Sequence, residues 1–149
     1  MCFETELVDC LFTGRLRRSF FNGTVPEELV DALGRTSNEF RGNDFSGMDL
    51  IDVDFRTGID LSLQRLPTGA QYLYLPDAEP ALQRAREQVL ASGRVRRWGE
   101  HGDVVPLIDI ALENVRNGQR QELLRKDDYS RLIPPDELDT IFDILAAVA

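Results

Sequence analysis

The chain has 149 residues, 42% of them hydrophobic, and a formal charge of −9 from 26 acids against 17 bases. That length suits one domain with a packed core. The charge argues against direct nucleic-acid binding, which depends on Lys and Arg neutralising phosphate, and no apolar run approaches the roughly 18 residues of a membrane-spanning helix.

The N-terminus, Met1-Cys2-Phe3-Glu4, lacks a basic stretch followed by an apolar one, so no signal peptide is read. Residues 3–22 alternate in part, through Val8, Cys10, Phe12, Leu16 and Phe20, with Thr13-Gly14 as an interruption. They read as two short strands or as one loose turn of the coil described below. Thr24 and Glu27 have capping-box spacing for a helix with Leu29, Val30 and Leu33 buried and Gly34 at its exit. Gln64–Gly69 is a loop by composition. Tyr72–Leu75 reads as a short strand. Asp77 is placed to cap a helix with Ala78, Leu82, Ala85 and Val89 inward and Gly93 as its stop. Asp103 is placed to cap another, with Val105, Ile108, Leu112 and Val115 inward and Gly118 beyond it. A turn carrying Leu123 and Leu124 follows. The last helix opens at Pro135, with Asp136 and Glu137 favouring its N-terminal dipole and Leu138, Ile141, Phe142, Leu145 and Val148 in one stripe.

Between the first helix and the loop lies a pattern with a period of five. Phe40, Phe45, Leu50 and Phe55 recur every fifth residue, each preceded two positions earlier by Asn38, Asn43, Met48 or Val53. An acid stands between the members of each pair: Glu39, Asp44, Asp49, Asp54. Five is neither the helical nor the strand period. Asn38-Glu39-Phe40-Arg41-Gly42, Asn43-Asp44-Phe45-Ser46-Gly47 and Val53-Asp54-Phe55-Arg56-Thr57 carry the pattern most clearly, and it decays at Gly58-Ile59-Asp60-Leu61. The segment resembles the pentapeptide-repeat proteins. That resemblance implies an α+β fold: a short right-handed quadrilateral β-helix over residues 38–61, with Phe40, Phe45, Leu50 and Phe55 as its inner core. So short a coil needs both ends covered. The Thr24–Gly34 helix and the Tyr72–Val89 segment are the candidates. The expected organisation is one domain over 1–149, with the strand and repeat segment in 1–69 and a mainly helical half in 70–149.

The chemistry-bearing residues are few. His101, the sole histidine, lies in Gly-rich polar sequence with no nucleophile elbow nearby. Cys2 and Cys10 form no C-x-x-C, and no cluster has metal-ligand spacing. No catalytic residue, metal or cofactor is therefore assigned. The two cysteines suit a reduced, cytoplasmic protein with Cys10 packed as a small hydrophobe. Arg94, Arg96, Arg97 and Trp98 combine cations with an aromatic ring, a pairing that can hold an anion. A solvated loop neutralised by the acidic C-terminal helix is the plainer reading, extended also to Arg15, Arg17 and Arg18.

The expected role is that of a non-catalytic protein-binding module. It would present Glu39, Asp44, Asp49 and Asp54, or the Arg94–Trp98 cluster, to a protein partner, a basic one in the case of the acids. Neutralisation of a basic protein, as by an immunity protein or antitoxin, is one concrete form. DNA mimicry against gyrase or another topoisomerase is the alternative that the family resemblance implies. A homodimer through the last helix is a further expectation.

Overall fold

The computed structural model describes residues 4–149. Its N-terminal half is a ribbon of parallel strands laid down in two passes. β1 (Leu7–Val8) and β2 (Leu11–Asn22) form the first pass, β3 (Phe40–Arg41) and β4 (Asp44–Arg56) the second. Leu7 stands beside Phe40, Leu16 beside Leu50 and Phe21 beside Phe55. A short third pass touches the ribbon where Arg65 bridges to Asp44.

These strands bend where φ turns positive: at Asp9, Gly14 and Arg18 in the first pass, and at Gly42, Asp52 and Thr57 in the second. Each bend interrupts the two-residue alternation of a flat strand. Inward side chains then recur at the five-residue beat, and Phe40, Phe45, Leu50 and Phe55 are all buried. With Phe21, Ile59 and Leu61 they make one apolar cluster. Phe12 stacks on Phe45 at 4.8 Å and Phe21 on Phe55 at 5.5 Å. Buried Asn43 ties the passes together: its Nδ2 donates to the Leu7 carbonyl at 2.6 Å and its Oδ1 accepts from the Cys10 N–H at 3.1 Å.

The quadrilateral β-helix is not what forms. Among the described residues the strands make three separate two-stranded sheets, β1–β3 and β2–β4 parallel and β5–β6 antiparallel, with no closed or solenoid β-helix. The described residues form a mixed fold of strands and four α-helices. The physical reason is the route of the chain. It departs through α1 (Glu27–Leu33) between the two passes, so paired residues are 33 or 34 positions apart rather than four five-residue units apart.

α1 also departs from expectation. It buries none of its residues. Thr24 does not cap it; the N-cap is Pro26, and Thr24 instead bridges to Ser37 and donates its N–H to Thr57 Oγ1 at 3.1 Å.

The C-terminal half is built on a hairpin. β5 (Tyr72–Leu75) pairs antiparallel with β6 (Glu122–Arg125), so Leu123 and Leu124 lie in a strand and not in the expected turn. One face of the hairpin, Tyr72, Tyr74 and Leu123, rests on the ribbon's core. The other, Leu73, Leu75 and Leu124, joins the core of α2 (Ala78–Ser92), α3 (Pro106–Arg116) and α4 (Pro135–Val148). α2 packs on both α3 and α4. Gly34 and Gly93 terminate α1 and α2 in the left-handed conformation, where the missing Cβ matters. Asp103 does not cap α3. Val105 is the N-cap, ahead of Pro106, and its N–H is taken by Asp109 Oδ2 at 2.7 Å.

Leu138, Ile141, Phe142 and Leu145 of α4 are buried within the chain. That use of the stripe removes the reason for expecting a dimer through the last helix. No helix is long and apolar enough to cross a membrane among the described residues.

Candidate functional site

The two long edges of the ribbon end in different ways, and the difference starts with side chains. The outer edge of the second pass is sealed by polar groups from later in the sequence. Gln64 reaches back to Asn43, and the Phe45 N–H donates to the Arg65 carbonyl at 2.8 Å. Tyr72 Oη accepts from the Leu50 N–H at 2.9 Å and donates to Asp49 Oδ1 at 3.2 Å. Asp128 Oδ2 accepts from the Asp52 N–H at 3.0 Å. Beyond β4, Gln119 Oε1 accepts from the Gly58 and Ile59 N–H groups at 3.1 and 3.0 Å, while its Nε2 donates to the Ile59 carbonyl at 2.9 Å. Gln121 Oε1 then takes the Leu61 N–H at 2.5 Å. These side chains occupy the places that the peptide groups of another strand would fill.

Arg125 locks this seal in position. Its side chain is 11% exposed, and its guanidinium lies 2.7 Å from Asp128, 3.1 Å from Asp49 and 3.7 Å from Asp127. Burial pushes the Asp128 carboxyl up, against the lowering effect of Arg125 and the Asp52 N–H. A polar cleft of about 230 Å³ lies beside it, lined by Arg17, Arg18, Asp52, Arg125, Asp128 and Arg131, among others.

The outer edge of the first pass has no such cover. Among the described residues no strand lies on the far side of β2. Phe12 and Leu16 are half-buried, although the residues they stack on, Phe45 and Leu50, are 0% and 2% exposed. Leu11, at the start of β2, is 73% exposed. Arg15, Arg17 and Arg18 project from this strand, are exposed, and take part in none of the ion pairs among the described residues. Pairing of these three with the acidic last helix does not occur.

The acidic row is not a free surface. Glu39 pairs with Arg41 at 2.5 Å, Asp44 with Arg65 at 3.5 Å, Asp49 with Arg125 at 3.1 Å and Asp54 with Arg56 at 2.6 Å. Asp44 is further held below the usual carboxylate range by hydrogen bonds from Ser46. The four acids are thus spread along the ribbon, each beside its own arginine.

Arg94, Arg96, Arg97 and Trp98 do share one loop. Arg96 lies over the Trp98 ring at 5.1 Å, and the Arg97 guanidinium approaches the Leu90 carbonyl at 3.5 Å. Their link to the last helix runs through the backbone: the Arg96 N–H donates to Glu137 Oε2 at 3.0 Å. Arg94 lies apart, lining a shallow depression with Ser92, Thr140, Asp143 and Ile144. His101 is exposed in the turn between Trp98 and Val104, which bridge to each other. No group of three or more His, Cys, Asp or Glu is placed to hold a metal among the described residues.

One titratable group is conspicuous for its burial. Glu122 on β6 is 6% exposed, and its Oε1 has no hydrogen-bond partner. Burial, with the nearby Asp54 charge, pushes its carboxyl up to about 8.

No protein-family model, curated protein or solved structure matches this chain. The resemblance to pentapeptide-repeat proteins therefore rests on the motifs alone.

Sequence reasoning missed Gln119, Gln121, Tyr72, Arg125 and Asp128, which together seal one edge. Their partners lie 22 to 76 residues away, and no local spacing marks them. The one signal was indirect: two glutamines, Gln119 and Gln121, two residues apart and just ahead of Glu122-Leu123-Leu124, a spacing that puts both amides on one side of an extended chain.

Proposed function

We propose that this chain is a non-catalytic protein-binding module that takes an extended segment of another protein as an added strand on β2. The observation that carries this reading is the asymmetry of the ribbon. Later residues take up N–H groups at intervals along the outer edge of the second pass, at Phe45, Leu50 and Asp52, while β2 keeps an open edge beside a half-covered apolar row. An exposed strand edge is a template for pairing, and strand addition combines main-chain hydrogen bonds with side-chain pockets. A few added backbone hydrogen bonds, each worth about 1 kcal/mol net, and coverage of Phe12 and Leu16 suit affinities on the order of 1–100 μM. Because each acid of the repeat already has an arginine, the geometry favours the β2 edge over the acidic row as the docking surface. A cytoplasmic setting belongs to the same proposal, supported by the free, half-buried Cys10 thiol.

Site-specific photo-crosslinking tests this reading. A crosslinker at Thr13 or Arg17, both exposed on β2, is expected to trap a single partner segment. The same group at Glu87 on α2 is expected to trap nothing. Crosslinks confined to the helical half would overturn it.

A further inference from the structure

The residues beside the open edge also say what kind of segment fits it. We infer that the β2 edge selects an acidic extended segment, with carboxylates three residues apart set against Arg15 and Arg18. This inference rests on the strand-addition reading.

The template is inside the molecule. β4 lies along the inner edge of β2 with Asp49 beside Arg15. Arg17 stands beside Ile51 and Ser19 beside Val53, so Arg18 lies level with Asp52. Arg18 and Asp52 bend their strands in the same left-handed conformation, at φ 50° and 51°. The neighbour that β2 already accepts therefore carries acids at the two levels where β2 carries arginines. Neither carboxylate neutralises its level arginine: Asp49 is held by Arg125, and Asp52 is in no ion pair with Arg18. Arg15 and Arg18 thus stand ready for a second neighbour on the outer side, about 4.8 Å away at strand spacing. Opposite charges facing each other across strands stabilise pairing, and like charges oppose it.

The same facts argue against a second copy as the occupant. Pairing β2 with β2 would bring two sets of Arg15, Arg17 and Arg18 together. Head-to-tail pairing of β2 with β4 would need the edge that Tyr72 and Asp128 close. A partner of a different sequence, acidic along its extended segment, fits both conditions. The chain's own −9 charge opposes its approach only at long range, where salt screens it within about 8 Å at physiological ionic strength.

The probe is a labelled peptide with the sequence of residues 44–56, titrated by fluorescence anisotropy against the full chain. A second peptide carries Asp49→Asn and Asp52→Asn. The expected result is that the acidic peptide binds about 10-fold more tightly than the amide one, two exposed ion pairs being lost. The gap should close at 0.5 M salt, and also in an Arg15→Gln, Arg18→Gln chain whose unchanged thermal melt shows that it folds. Equal binding of both peptides to the native chain overturns the charge inference and leaves strand addition standing. Binding of neither peptide overturns strand addition, and this inference with it. A peptide-independent dimer abolished by R15E would overturn the choice of occupant.

Discussion

Gln119 holds Ile59 by both of its peptide groups, accepting from the Ile59 N–H at 3.0 Å and donating to the Ile59 carbonyl at 2.9 Å. A side-chain amide thereby stands in for the backbone of a neighbouring strand. It is fully buried, and it lies 60 residues along the chain from the residue it completes. Where the passes of chain run out, the C-terminal half supplies the missing hydrogen-bond partners.

Removing that amide should be felt strongly. Gln119→Leu keeps most of the volume but orphans the Gly58 and Ile59 N–H groups and the Ile59 carbonyl. Each buried unsatisfied group costs about 1–3 kcal/mol, so a loss of about 3 kcal/mol or more is expected in urea denaturation. A change below about 1 kcal/mol would show that solvent replaces the amide.

The uneven burial of stacked leucines gives a paired test. Leu50, with chain on both sides, should lose about 2–5 kcal/mol on truncation to alanine. Leu16, its half-buried neighbour in register, should lose about 1 kcal/mol, since fewer atoms surround it. Equal losses would mean that the β2 side is covered after all.

Arg125 is a half-buried cation facing Asp49, Asp127 and Asp128. Arg125→Met leaves those acids clustered without their counter-charge. Breaking a buried pair from one side costs about 3–5 kcal/mol, and partial exposure of the acids brings the expectation to about 2–3 kcal/mol. The decisive reading is a thermal melt at pH 7 against one at pH 4. The deficit should shrink at the lower pH as Asp128, whose carboxyl burial pushes up, takes up a proton.

Glu122 makes stability depend on pH in a direction opposite to most acids. Its folded carboxyl is pushed up to about 8, against an ordinary 4.5. Between those values the folded chain keeps a proton that the unfolded chain has released. The site's contribution is therefore undiminished below about pH 4.5, falls by about 1.4 kcal/mol per unit as pH rises, and levels off above about 8. Glu122→Gln should remove that slope and exceed the native chain by about 2–4 kcal/mol at pH 9. Urea midpoints of both proteins across pH 5–9 check it; parallel curves would mean that Glu122 is ionised when folded.

Much of the packing was legible from apolar spacing. The five-residue beat marked Phe40, Phe45, Leu50 and Phe55, all of which are buried, and the stripe after Pro135 marked the buried face of α4. What spacing could not supply was how the passes close. A beat of five says which side chains turn inward. It does not say that the chain leaves through α1 between passes, or that glutamine amides will replace a further strand. Leu123 and Leu124 were unreadable as a strand for a related reason: four residues become β6 only because β5 lies alongside, and strand preference is largely a matter of neighbours. The seal on one edge and the openness of the other are both long-range facts, invisible in any short window.

The measurement that bears most directly on the central claim is residue-resolved amide hydrogen exchange of the isolated chain. The claim is that one edge of the ribbon is closed by side chains and the other is open. Leu50, Asp52, Ile59 and Leu61 N–H groups, held by Tyr72, Asp128, Gln119 and Gln121, should exchange slowly, close to the rate set by global unfolding. The outward-facing half of the β2 amides should exchange orders of magnitude faster than the half paired to β4. Uniform slow exchange along both faces of β2 would show that its edge is covered, and the docking account would fall.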